Sequence, residues 1–158
     1  MGRSVLERVG VYVETSVING CLSRDPYIAR VSRLFFERVR GGGVVAYTSS
    51  YAIAEIIKTP NGAKRDELLS IAALCKVAAP SGGEVEELGR EYVRQGAIPA
   101  RYEMDAFHIA SATLGGYEAL VTWNREHIKK LEAIRIVAKV NEKRGLKTPL
   151  IVDPEAII

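Results

Sequence analysis

Apolar residues along this chain follow two rhythms. Short β-branched runs alternate with longer segments whose apolar positions recur every three to four residues. Val9 to Val13 (VGVYV) predicts a first buried strand. Asp25-Pro26 opens a helix, with Asp as N-cap and Pro at the first helical position. Ile28, Val31, Leu34, Phe35 and Val39 share one face of it, and it stops at Gly41-Gly42-Gly43. Val44 to Tyr47 predicts a second strand. Thr48-Ser49-Ser50 caps a helix over Tyr51 to Lys58, and Pro60-Asn61-Gly62 separates it from another over Ala63 to Leu74. Val77 to Ala79 is a weak third strand, and a loop from Pro80 to Gly83 leads into a helix over Glu84 to Gln95.

The centre of the chain is Glu103 to Lys130. It predicts a helix from Tyr102 to Leu114, a turn, a short strand over Ala119 to Thr122, a polar loop and a second helix. Phe107, Ala110 and Leu114 give the first helix an apolar side, and Ala106, Ala110 and Ala112 let another element approach closely. Gly115-Gly116 ends it, because glycine accepts the left-handed conformation of a helix C-terminus. Ile134 to Val137 then predicts a short strand, Lys139 to Arg144 a short helix, and Leu150 to Val152 a closing strand or extended tail. Strands alternating with helices predict an α/β fold, a mostly parallel sheet covered on both faces. No G-x-G-x-x-G or P-loop is present, and the glycines at 41–43 precede a strand as a turn.

Composition narrows the class. The 158 residues suit one domain over 1–158, and the 47% apolar content suits a packed core. No run of about 18 apolar residues predicts a membrane span. The opening MGRSVLERVG lacks the apolar centre of a signal peptide. Cys21 and Cys75 are far apart in apolar contexts, which fits buried thiols in a reducing, cytoplasmic compartment and cannot supply a zinc site alone. The net charge of +3 permits an anionic partner. Eight basic residues lie between Arg125 and Lys147 against three acids, and Arg24, Arg30, Arg33, Arg38 and Arg40 form a second group.

Four polar positions occupy corresponding places in this layout. Glu14 ends the first strand, Glu55 lies in the helix after the second, Asp105 opens the central helix, and Asn124 follows the strand after it. Strand ends and helix starts of a parallel sheet converge on one edge, where ligands bind. Glu55 sits among Ile53, Ala54, Ile56 and Ile57, and an acid in so apolar a segment needs a partner or a purpose. Asp105 reads either as a helix-dipole or capping residue or as a metal or catalytic carboxylate. Clustered carboxylates are expected to bind Mg²⁺ or Mn²⁺, ions that polarise a phosphodiester and generate hydroxide.

The segments VYVETSVING, TSSYAIAEI, MDAFHIASA and LVTWNREHI carry a resemblance. In order and spacing the chain resembles PIN-domain ribonucleases, in particular the VapC-like toxins of prokaryotic toxin–antitoxin pairs, over nearly its whole length. The resemblance implies a PIN-like (Rossmann-like) three-layer sandwich, Mg²⁺- or Mn²⁺-dependent endonucleolytic cleavage of RNA, a homodimer and an antitoxin partner. It carries the family's acidic positions onto Glu14, Glu55 and Asp105 as metal ligands, and its last acidic position onto Asn124 as a fourth catalytic residue. Thr15, Ser49 and Ser50 are expected to hold the phosphate or the carboxylates, or to serve as ordinary caps. His108, one turn after Asp105, is expected to face the cleft or bond Asp105, and His127, three residues after Asn124, to lie near it; together they are expected to support the carboxylates or to form an acid–base pair. Trp123 reads as core or cleft wall, with base stacking as the other reading. Arginines near Arg33 and the basic stretch after Arg125 are expected at the cleft border. The alternative is a degenerate PIN domain that binds RNA or a protein without cutting.

Two departures motivate that alternative. Glu14 stands where the family usually has Asp, which moves its oxygens by roughly 1.5 Å, one bond length. Asn124 is neutral where many members carry an acid. Three carboxylates should bind metal more weakly than four, with a preference for Mn²⁺ over the geometrically stricter Mg²⁺. Calorimetric titration of both ions is expected to give the tighter binding for Mn²⁺; equal affinities would remove this expectation.

Overall fold

The computed structural model describes residues 10–78 and 83–158. Val9, Ala79 and Pro80 to Gly82 of the expected elements, and the N-terminal segment read for a leader, lie outside those residues. Five strands form one parallel sheet: β1 (Gly10–Val13), β2 (Val45–Ser49), β3 (Lys76–Ala78), β4 (Ala119–Val121) and β5 (Leu150–Val152), in the order β3-β2-β1-β4-β5. The helices are α1 (Thr15–Gly20), α2 (Pro26–Arg40), α3 (Ser50–Ile57), α4 (Gly62–Ala72), α5 (Glu84–Arg94), α6 (Glu103–Leu114) and α7 (Leu131–Lys143). Among the described residues no helix is long and apolar enough to cross a membrane.

The sheet separates two apolar layers, and residue alternation decides which side chain enters which. Tyr12 and Leu120 pack with α5, α6 and α7 on one face. Val11, Val13, Ala46, Ala119 and Val121 pack with α1, α2 and α4 on the other. Both central strands are buried on both faces, which is why they read as unbroken apolar runs. The register Val13↔Val121 between β1 and β4 sets their carboxyl ends level, and Tyr47 pairs with Tyr12 across β1 and β2.

Several local expectations hold. Asp25 caps α2 by accepting from Tyr27 N (2.9 Å) and Ile28 N (3.3 Å). After α6, Gly116 takes the left-handed turn with φ of 70°. Others do not. The strand expected at Ile134 to Val137 is the middle of α7, because Ala133, Val137 and Val140 recur at helical spacing and bury against the core. That packing overrides the β-branched preference of Ile134, Ile136 and Val137. The helix expected before Lys130 is a run of turns over 125–129. The short helix α1 was not anticipated. Ser49 occupies the N-cap position of α3 but makes no capping bond, since its hydroxyl is engaged with Tyr12.

α5 and α6 cross closely at Gly89. A Cβ placed there would lie 2.5 Å from Phe107 Cδ1 and 3.3 Å from the Ala106 carbonyl carbon. Gly89→Ala gains about 1 kcal/mol of helix propensity but overpacks a closed contact at about 1–3 kcal/mol. Urea unfolding is expected to show a net loss of up to about 2 kcal/mol. A stabilised variant would mean that Phe107 moves aside freely.

Candidate acidic cleft

The end of β1 delivers Glu14. Its backbone is extended (φ −82°, ψ 154°) at the N-cap of α1, and its amide donates to Val121 O at 3.1 Å. The side chain turns back onto the helix start: Oε2 accepts from Ser16 N at 3.0 Å, and Oε1 accepts from the hydroxyls of Ser16 (2.5 Å) and Thr122 (2.6 Å). Glu14 is 5% exposed, so these bonds offset the cost of burying its charge.

Glu55 reaches the same edge from α3. Its Oε1 accepts from Thr15 Oγ1 (2.9 Å) and His108 Nε2 (2.5 Å). His108 is fully buried on α6, and its Nδ1 lies 2.7 Å from the Tyr12 hydroxyl, which in turn lies 2.6 Å from Ser49 Oγ. A polar chain from Ser49 through Tyr12 and His108 to Glu55 therefore crosses the core. Asp105 stands in the first turn of α6. Its Oδ2 accepts from Asn124 Nδ2 (3.2 Å) and His127 Nδ1 (2.9 Å). Asn124 Oδ1 accepts from His127 N at 2.9 Å, so Asn124 holds both members of the pair.

Charge and burial compete at each group. Burial pushes Glu55 up, but the bonds from His108 and Thr15 outweigh it and bring Glu55 below the ordinary carboxylate range. Burial alone would depress His108; the Glu55 bond and the carboxylates of Glu14, Glu55 and Asp105 together raise it. Asp105 is raised, first by burial and then by the charge of Glu14, against the bonds from Asn124 and His127. All three carboxylates therefore act on His108, and two act on each other.

The sequence-predicted residues divide as follows. Glu14, Glu55, Asp105, Asn124, Thr15, His108 and His127 come together at one sheet edge. Ser49 is in the buried chain behind them, and Ser50 is exposed on α3 with no bond into the group. Arg33 bonds Cys21 O at 2.8 Å, while Arg125 and Lys129 pair with Asp153, each at 3.0 Å. Trp123 is half-buried and packs on the apolar layer of α1 and α2, its indole donating to Ser32 Oγ at 2.9 Å. Sequence reasoning missed Tyr12, Ser16 and Thr122. Ser16, two residues past Glu14, had the spacing of a local capping partner; Tyr12 and Thr122 are cross-element partners with no local signal.

The donor set suits a hard cation: carboxylate and amide oxygens with no thiolate. Among the described residues no hydrogen bond reaches Glu55 Oε2 or Asp105 Oδ1. Among the same residues no three His, Cys, Asp or Glu side chains stand as a ready cation cage.

No family model matches the sequence, and no curated protein matches it. In structure the chain is similar to a chain of VapBC2 from Rickettsia felis, solved bound to a DNA fragment from its promoter. The TM-score is 0.55 at 15% identity, covering 91% of this chain and 98% of that one. It is also similar to a chain of FitAcB from Neisseria gonorrhoeae, with a TM-score of 0.52 at 16% identity, covering 91% and 97%. The fold is the PIN-like three-layer α/β fold that the sequence predicts.

The Glu55–His108 pair makes stability depend on pH. The raised His108 contributes fully below its ordinary value of 6.5 and loses its contribution as pH rises through the raised one. The lowered Glu55 contributes fully above 4.5 and loses its contribution as pH falls through the lowered one. In thermal unfolding, the gap between wild type and His108→Gln is expected to be widest from about pH 4.5 to 6.5 and to shrink on both sides. A gap that ignores pH would show that the pair is not ionic.

Proposed function

We propose that this protein is a divalent-metal-dependent endoribonuclease, the toxin of a toxin–antitoxin pair. The observation that carries the reading is the placement of three acids at the carboxyl edge of the parallel sheet: Glu14 at the end of β1, Glu55 bonded to His108 of α6, and Asp105 at the start of α6 bonded to Asn124. The fold it shares with chains of VapBC2 and FitAcB supports the same reading.

Glu14, Glu55 and Asp105 would hold Mg²⁺ or Mn²⁺. A bound divalent ion supplies Lewis-acid polarisation of a phosphodiester and a water of lowered pKa. The chain's own contribution is placement. Ser16 and Thr122 hold Glu14; Thr15 and His108 hold one oxygen of Glu55; Asn124 and His127 hold one oxygen of Asp105. Pinning one oxygen of Glu55 and of Asp105 leaves the other directed by the protein and not by solvent, which is how second partners tune metal ligands. Basic residues near the cleft, Lys130 among them, would contact RNA phosphates and give salt-dependent affinity. The antitoxin would lay an apolar helix on the protein and send a basic side chain toward the acids. The protein would act as a cytoplasmic homodimer.

A second reading has a specific observation behind it. Both oxygens of Glu14 already accept protein bonds, and a histidine bonds each of the remaining carboxylates. A binding module that retains RNA without cutting it would show these features. Incubation of a mixed RNA pool with Mg²⁺ and with Mn²⁺ separates the two. The nuclease reading expects cleavage by the wild type and a loss greater than about 100-fold in Asp105→Ala, with an unchanged thermal midpoint or a higher one, since burial already penalises that charge. Equal cleavage by the variant would refute it, and RNA retention without cleavage under either ion would establish the binding module.

A further inference from the structure

Beside the acids, between the end of α5 and the start of α7, lies a cavity of about 310 Å³. Its apolar floor is Ala97, Ile98 and Ala133, each nearly or fully buried. Its polar groups are His127 and the exposed Glu126, Lys130 and Glu132. His127 belongs to both sites: Nδ1 bonds Asp105, and the same ring lines the cavity. On another side the His127 ring stacks on Tyr102, with centroids 4.1 Å apart and planes 29° apart, and Tyr102 is 38% exposed. One imidazole ring therefore separates the cavity from the carboxylate of Asp105.

The size and lining select the ligand class. The volume lies at the bottom of the range for small-molecule pockets, about 300–1,000 Å³. One turn of helix with its side chains, about 10 Å across and 5.4 Å high, fills roughly 400 Å³ and is excluded. An apolar floor, a few donors and acceptors and one aromatic ring on the lining, that of His127, are what an unstacked base of single-stranded RNA requires. The exposed Lys130 offers an ammonium group to the phosphate that such a base carries with it, while Glu126 and Glu132 on the same lining are acceptors for the base's amino and imino groups.

We propose that this cavity binds one unstacked base of single-stranded RNA, the nucleotide flanking the bond placed at Asp105. Its position beside a scissile bond rests on the nuclease reading; its affinity for a base does not. His127 is then the positioning residue that ties base occupancy to the Asp105 carboxylate. Ala100 lines the same cavity from the short 3-10 turn before α6, and a large side chain there would fill it.

The probe is a short RNA carrying one 2-aminopurine, whose fluorescence is quenched on stacking, titrated in EDTA so that no cleavage occurs. Wild type is expected to quench it. Ala100→Phe is expected to bind roughly tenfold more weakly, the usual scale for losing one stacked base. Lys130→Ala is expected to lower the salt slope by about one, and it keeps the test sound should Ala100→Phe prove misfolded by circular dichroism. Sequenced cleavage products from a randomised pool are expected to show a base preference next to the cut, lost in Ala100→Phe. Absence of quenching in the wild type, or identical binding and cutting patterns in all three proteins, overturns the cavity. Wild-type quenching that Ala100→Phe loses, with no cleavage under Mg²⁺ or Mn²⁺, leaves the cavity standing and removes the nuclease.

Discussion

β1 lies between β2 and β4, and the register Val13↔Val121 sets Glu14 beside Thr122. The cleft depends on that pairing. The Glu14 amide continues the ladder to Val121 O, and the Thr122 hydroxyl then donates to the Glu14 carboxylate. A slip of one residue would exchange the two faces of β1, sending Tyr12 into the layer of α1 and α2. Tyr12 would then lose His108, and His108 would be left in the core without its second partner. The polar cleft and the apolar layers are therefore specified by the same few backbone bonds.

Burying acids near one another is unfavourable unless something answers their charge, and here the answer is hydrogen bonding more than ion pairing. No lysine or arginine bonds Glu14, Glu55 or Asp105 among the described residues; hydroxyls, an amide and two imidazoles do. The outcomes differ. Glu55, with its bond from His108, is held below its ordinary range, whereas burial and then the charge of Glu14 hold Asp105 above. Two carboxylates at one sheet edge thus acquire opposite tendencies from their neighbours, a pattern typical of sites that carry chemistry.

Much of this was legible in the sequence because it is local. The apolar runs at β1, β2 and β4, the Asp25-Pro26 helix start and the glycine turn after α6 each depend on a few adjacent residues. The four site positions could be placed because the α/β layout brings strand ends and helix starts to one edge. What escaped depends on distant partners. Ile134 to Val137 has strand-like composition, and only the core beneath Ala133, Val137 and Val140 makes it helical. Thr48-Ser49-Ser50 has capping composition, but Ser49 bonds Tyr12, 37 residues away in sequence, and Thr48 bonds Val13 O. The spacing placed His127 beside Asn124, as found, but pointed His108 to Asp105, one turn before it, whereas its partner is Glu55, 53 residues away on α3.

α6 joins these threads. From Ala106 to Thr113 every residue is buried, so the helix has no solvated face and cannot rotate without breaking a packed contact. Ala106, Ala110 and Ala112 are small enough for the sheet and α5 to close on it, and Gly89 lets Phe107 lie against α5 without a gap. Asp105 sits at the first turn, where this buried rod emerges toward the cleft. Its backbone position is thereby set by the core, and its side chain by Asn124 and His127 from the loop after β4. A carboxylate held from two independent directions has little freedom to relax toward solvent, and a site built this way keeps its geometry better than one carried on loops alone.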